Sequence, residues 1–156
     1  MSAVVEQGQE PSRRMREQDL TRVLEIERRA YDFPWTAGVF RDCMRVGYGC
    51  WVGLSADTVV GYLILSVVAG EAHVLNLCID PARHGEGHGT RLLEAGLDHA
   101  ARLGAESIFL EVRPSNRPAL QLYERRGFCE VGMRPGYYPV IGGRREDALI
   151  LARQLL

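Results

Sequence analysis

The stretch from Ala72 to Thr90 limits what this chain can fold into more than any other. Ala72 to Ile79 reads as a strand, Asp80-Pro81 stops it, and Gly85, Gly87 and Gly89 follow at every second position before a helix begins. The order is strand, turn, glycine-rich loop, helix start. Glycines remove side chains where the backbone turns into the helix. The free N–H groups there, with the positive end of the helix dipole, make an anion site suited to a diphosphate. A glycine-rich connection without a ligand is the other reading of the same residues.

Composition narrows the chemistry. All 19 basic residues are arginine, and the chain holds no lysine. A Schiff-base enzyme, a lysine-bearing phosphate loop and a protein-kinase site are therefore excluded. The loop is also not a G-x-G-x-x-G dinucleotide fingerprint, and no fitting acidic ribose partner follows it. His84 and His88 flank Glu86 and imitate a metal motif, but Gly85 and Gly87 argue against the helix such a motif needs. No metal is predicted.

The chain has 156 residues, which fits one domain, expected over 13–156 behind a flexible tail over 1–12. A net charge of −1 gives no global field for nucleic acid or an anionic membrane. Val59 to Gly70 is the longest apolar stretch. It falls short of the roughly 20 residues of a membrane span, so it is expected to be a core strand. The start lacks the basic-then-apolar pattern of a secretory signal, and the four cysteines form no C-x-x-C pair. The expected location is a reducing cytoplasm, with no nucleic-acid or membrane partner.

The remaining elements follow from periodicity and stop signals. Helices are expected over Asp19 to Tyr31, capped by Asp19, and over Thr36 to Arg45, capped by Thr36, with Phe33-Pro34-Trp35 between them. Cys50 to Leu54 and Val59 to Val68 read as a hairpin. A helix over Thr90 to Leu103, a strand over Ser107 to Val112 and a helix over Asn116 to Arg126 come next. Strands over Phe128 to Met133 and Asp147 to Leu155, joined by an aromatic loop, complete the chain. A hairpin-linked half followed by strand–helix–strand crossovers implies an α/β (α+β mixed) fold, a mixed sheet covered by helices.

Two blocks of residues resemble a known family. Asp80-Pro81, the glycine loop and Thr90-Arg91-Leu92-Leu93 are similar to the acetyl-coenzyme A motif of the GNAT N-acetyltransferases. Their pattern is Q/R-x-x-G-x-G/A, and His84 to Gly89 matches it except at the first position. Leu110 to Phe128 resembles the L-E-V-R-x-S-N-x-x-A-x-x-L-Y-x-x-x-G-F run of the RimI-type ribosomal-protein-alanine N-acetyltransferases. Tyr137-Tyr138-Pro139 and Phe33-Pro34-Trp35 match that subfamily as well.

The resemblance implies a splayed, mixed, mostly antiparallel sheet flanked by helices. Acetyl-coenzyme A would be the acetyl donor and the N-terminal segment of a small-subunit ribosomal protein the acceptor. The backbone of Leu77, Cys78 and Ile79 would pair with the pantetheine arm. Gly85, Glu86, Gly87, His88, Gly89 and Thr90 would hold the diphosphate, and Asn116 would contact the cofactor. Glu111 would be the general base and Tyr123 the general acid. Trp35, Tyr137 and Tyr138 would line the acceptor site. The departure is His84, where the family carries glutamine or arginine.

Each assignment stands beside a plainer one. An acceptor amine with a pKa near ~8 must lose a proton, and a half-buried carboxylate at Glu111 suits that task. Glu111 paired with an arginine is the alternative. Tyr123 also reads as a packed core aromatic, Asn116 as a helix cap, and Tyr137 and Tyr138 as packing residues in the last loop. Cys78 lacks an activating partner in the sequence, so a covalent route through it is not expected. Two other functions stay open at this stage: a GNAT enzyme acting on a small amine, and a non-catalytic coenzyme A sensor.

Overall fold

In the computed structural model, residues 11–155 are described. Most of the tail expected over 1–12 lies outside them. Its last residue opens strand β1, Ser12–Arg14, which pairs antiparallel with β2, Gly49–Ser55. That strand is too short to leave an alternating pattern in the sequence.

The other elements are α1 (Leu20–Ala30), α2 (Ala37–Arg45), β3 (Thr58–Val68), β4 (Glu71–Ile79), α3 (His88–Arg102), β5 (Ser107–Val112), α4 (Arg117–Arg125), β6 (Cys129–Pro139) and β7 (Arg145–Gln154). The strands hydrogen-bond in the order β1-β2-β3-β4-β5-β7-β6. The β4–β5 pair is parallel, and β5–β7 and β6–β7 are antiparallel. This is the mixed, mostly antiparallel sheet with helices that the resemblance implies. Among the described residues no helix is long and apolar enough to cross a membrane.

The chain divides into two compact units, Met1–Ile64 with Asn76–Ala95, and Leu65–Leu75 with Gly96–Leu156. In the first, α1 turns Leu20, Val23 and Ile26 inward at helical spacing. They join Phe40 and Cys43 of α2 and Val52, Tyr62 and Cys78 of the strands. Phe40 is fully buried, with Trp35 5.3 Å away on one side and Tyr62 5.4 Å away on the other, both edge to face. Thr36 caps α2 as expected, accepting from the Val39 N–H. Asp19 does not cap α1. A 3-10 turn over Glu17–Asp19 precedes the helix, so Asp19 is already helical. Its carboxylate instead accepts from the Arg16 N–H at 2.7 Å and from the Arg13 guanidinium at 2.7 and 2.9 Å.

In the second unit, β5 alternates strictly. Ile108, Leu110 and Val112 are buried, while Ser107, Phe109 and Glu111 share the other face. The parallel ladder with β4 runs from Glu71/Ser107 to Val74/Leu110. Tyr123 of α4 is buried, its ring 5.6 Å from Phe128.

The last hairpin corrects the sequence reading. Tyr137 and Tyr138 are not in a loop: β6 runs on to Pro139, and Tyr138 pairs with Glu146. Pro135-Gly136 reads as a stop because proline cannot donate to a ladder. The register instead shifts between Arg134 and Tyr138, and Gly136 takes a φ of +58° there. Side chains of β7 bind the bulged backbone. Asp147 accepts from the Gly136 N–H at 2.9 Å, and Arg145 donates to the carbonyls of Gly136 and Tyr137 at 2.6 and 3.0 Å.

Candidate active site

The residues expected to hold an anion lie in the first unit. Both Gly85 and Gly87 have a φ of +81°, a conformation that favours glycine. The helix begins at His88, two residues earlier than expected, so the N–H groups from His88 onward form its unsatisfied first turn. A Cβ at Gly85 would meet nothing within 4 Å, whereas one at Gly87 would lie 2.8 Å from the Arg91 guanidinium. Arg83, Arg91 and His88 surround the loop through contacts with Glu86 and with each other. Backbone donors, guanidinium groups and open space over Gly85 fit a diphosphate. His84 hydrogen-bonds the Ile79 carbonyl at 3.1 Å.

The strand leading into the loop is anchored from below. Asp80 is 3% exposed and accepts from the Ala82 N–H at 3.0 Å and from Arg22, with Arg29 3.8 Å away. Burial pushes its carboxyl up, but the Ala82 N–H and the arginines outweigh that and hold it below the usual carboxylate range. A Cβ on Gly61 would come within 2.6 Å of the Cys78 carbonyl, so β3 and β4 approach closely only because Gly61 lacks one. Leu77, Cys78 and Ile79 lie beyond the last β4–β5 pair, Val74/Leu110. The Tyr31 hydroxyl donates to the Leu77 carbonyl at 3.4 Å. Burial pushes the Cys78 thiol up to about 11, so it stays protonated near neutral pH and is a poor nucleophile.

The acid–base candidates lie in the second unit. Glu111 is 27% exposed and ion-paired with Arg134, whose Nε lies 2.7 Å from the carboxylate. Interaction with the same carboxylate, together with partial burial, raises the pKa of the Tyr137 phenol. The Tyr137 and Tyr138 rings meet edge to face at 4.9 Å. Arg113 stacks over Tyr138 at 4.3 Å and Arg134 lies 5.7 Å from the Tyr137 ring. Burial and the Glu111 charge push the Tyr138 phenol up to about 12. Glu146 binds this cluster to the α4 approach, accepting from Arg113 at 3.3 Å and from the Ser115 N–H and hydroxyl at 3.0 and 2.9 Å.

The fold thus brings Glu111, Tyr137 and Tyr138 together. Tyr123 is 6% exposed and packs as a core ring. Asn116 caps α4, its side-chain oxygen accepting from the Ala119 N–H at 3.3 Å. Trp35 lies in the first unit against Phe40.

Two features escape a reading of the sequence. Arg134 is one, because β6 reads as ending at Met133. Glu27 is the other. It is 1% exposed and accepts from the Tyr62 hydroxyl, from Asn76 at 2.9 Å and from the Trp35 N–H at 2.8 Å. The signal for it was its place on the apolar stripe of α1, four residues after Val23 and seven after Leu20.

The chain is similar to known proteins. The model of the acetyltransferase (GNAT) family matches residues 20–128. A ribosomal protein bS18-alanine N-acetyltransferase of Haemophilus ducreyi is 34% identical over 139 residues, covering 89% of this chain and 96% of that protein. The Escherichia coli protein of the same name is 37% identical over 134 residues, covering 86% and 90%. The crystal structure of the ribosomal-protein-S18-alanine N-acetyltransferase from Escherichia coli superposes with a TM-score of 0.85 at 35% identity, covering 92% of each chain.

Proposed function

Since this chain belongs to the acetyltransferase (GNAT) family, we propose that it transfers an acetyl group from acetyl-coenzyme A to the N-terminal α-amine of a protein. The acceptor we propose is the N-terminal alanine of a small-subunit ribosomal protein, in the cytoplasm. Relatives named for that reaction align over nearly their whole length. The observation that carries a peptide acceptor is the pair of tyrosine rings, Tyr137 and Tyr138, beside Glu111. The proposed base thus neighbours two residues proposed to line the acceptor site. A small amine needs no such aromatic rim.

The bound donor supplies an activated thioester. In this reading the loop from Gly85 to Thr90 receives the donor's diphosphate on backbone N–H groups, and Leu77, Cys78 and Ile79 offer it a strand edge. Asn116, while capping α4, is the residue proposed to contact the cofactor. Glu111 takes the proton that an acceptor ammonium must lose, and an incoming amine competes with Arg134 for its carboxylate. Tyr123 gives a proton to the departing thiolate. Trp35, Tyr137 and Tyr138 receive the N-terminal segment.

The test is incubation with acetyl-coenzyme A and a peptide beginning with alanine, the same peptide with its N-terminus blocked, and a set of free polyamines and amino acids, read by mass. One acetyl group is expected on the free peptide and none on the blocked one. Labelling confined to the small amines would overturn the reading.

A further inference from the structure

The glycine loop contains an acidic residue in a place that the proposed function gives to a diphosphate. One oxygen of Glu86 lies 2.9 Å from Arg83 Nε and 2.9 Å from His88 Nε2. Its backbone carbonyl accepts from Arg91 at 2.9 Å, and Arg91 also lies 3.0 Å from His88 Nδ1. An arginine can only donate, so His88 Nδ1 accepts and the ring proton sits on Nε2, aimed at Glu86. Hydrogen bonds from His88 and Arg83 hold the Glu86 carboxyl below the usual range, so it is ionised at neutral pH. The Arg83 guanidinium and the His88 Nε2–H are therefore already turned to an internal anion.

We propose that Glu86 is an internal competitor of the donor's diphosphate: it occupies Arg83 and His88 until the donor takes them, and so sets donor affinity. This rests on the donor reading above. The physical reason is charge balance. A phosphate entering the loop either displaces Glu86 from its partners or stays beside a like charge, and both outcomes weaken binding. Part of the donor's affinity is thus spent on exchanging one anion for another.

The test measures binding by calorimetry without any acceptor, using coenzyme A and, as a probe lacking the diphosphate, pantetheine. Glu86→Gln is expected to bind coenzyme A about two- to fivefold more tightly, the range that a surface charge pair supplies. Its binding of pantetheine is expected to match the parent's. In an Arg83→Gln background the gain is expected to shrink, because one of the contested partners is gone. If Glu86→Gln binds coenzyme A no more tightly than the parent, or gains equally for pantetheine, the competition does not exist. If the parent itself fails to bind coenzyme A, the donor reading falls first.

Discussion

The two units each hold a glutamate surrounded by aromatic residues, and the two glutamates are built differently. In the first unit Glu27 is 1% exposed and its carboxylate is satisfied by a phenol, an amide and a backbone N–H. In the second, Glu111 is 27% exposed, with one guanidinium and one phenol beside it. Glu27's donors belong to the core and to the link between α1 and α2, and cannot leave without local unfolding. Glu111's partners are side chains on β6, and long side chains at a half-exposed site exchange readily. A saturated, buried carboxylate holds structure. A half-exposed one with displaceable partners can take a proton from a substrate.

That contrast can be broken by substitution. The largest effect is expected at Glu111. Glu111→Gln should lower turnover by about 10²–10⁴-fold, the usual contribution of a general base, while the melting temperature stays near the parent's. In the same assay, Tyr123→Phe keeps the ring against Phe128 and should slow thiol release alone. Parental turnover in Glu111→Gln would remove the contrast altogether.

At Glu27 the expected loss is in stability. Glu27→Ala leaves the Tyr62, Asn76 and Trp35 donors without their acceptor, at about 1–3 kcal/mol for a buried group left unsatisfied. Urea unfolding measures this. A variant as stable as the parent would show that the network holds nothing together.

The smallest effect is a pH dependence, and it sharpens the comparison by adding a third carboxylate. Asp80 has a folded-state pKa below its unfolded value. Its contribution to stability is therefore complete above the unfolded pKa of about 3.9 and is lost as the pH falls through the lower folded value. Asp80→Asn should flatten the acid limb of the stability curve below about pH 4 and leave its shape near neutrality unchanged. An acid limb as steep as the parent's would show that Asp80 is not a source of it.

Much of this was legible in the residues. The span of β5 reads directly from Ser107 to Val112, and Thr36 and Asn116 cap where their side chains and positions indicate. The glycine loop leads into a helix as its pattern requires. The misreadings have physical causes. Asp19 bears a capping side chain, but a 3-10 turn moved the helix start past it. Tyr137 and Tyr138 sit beside Pro135-Gly136, which reads as a loop. A bulge carried by Asp147 and Arg145 keeps them on a strand.

Local chemistry thus determined the order of helices and strands from α1 onward, the loop's backbone and the families of reaction that a lysine-free chain cannot perform. Those properties depend on residues a few positions apart, whose periodicity and turn preferences act before any long-range contact. Only the tertiary structure decided which partner each carboxylate received. Glu27 meets Tyr62 and Asn76, 35 and 49 residues away. Glu111 lies opposite Ile150 of β7 and Arg134 opposite Ala148 two residues earlier, so strand register puts carboxylate and guanidinium on one face. Register is set by packing the whole sheet, and no stretch of sequence read by itself contains it.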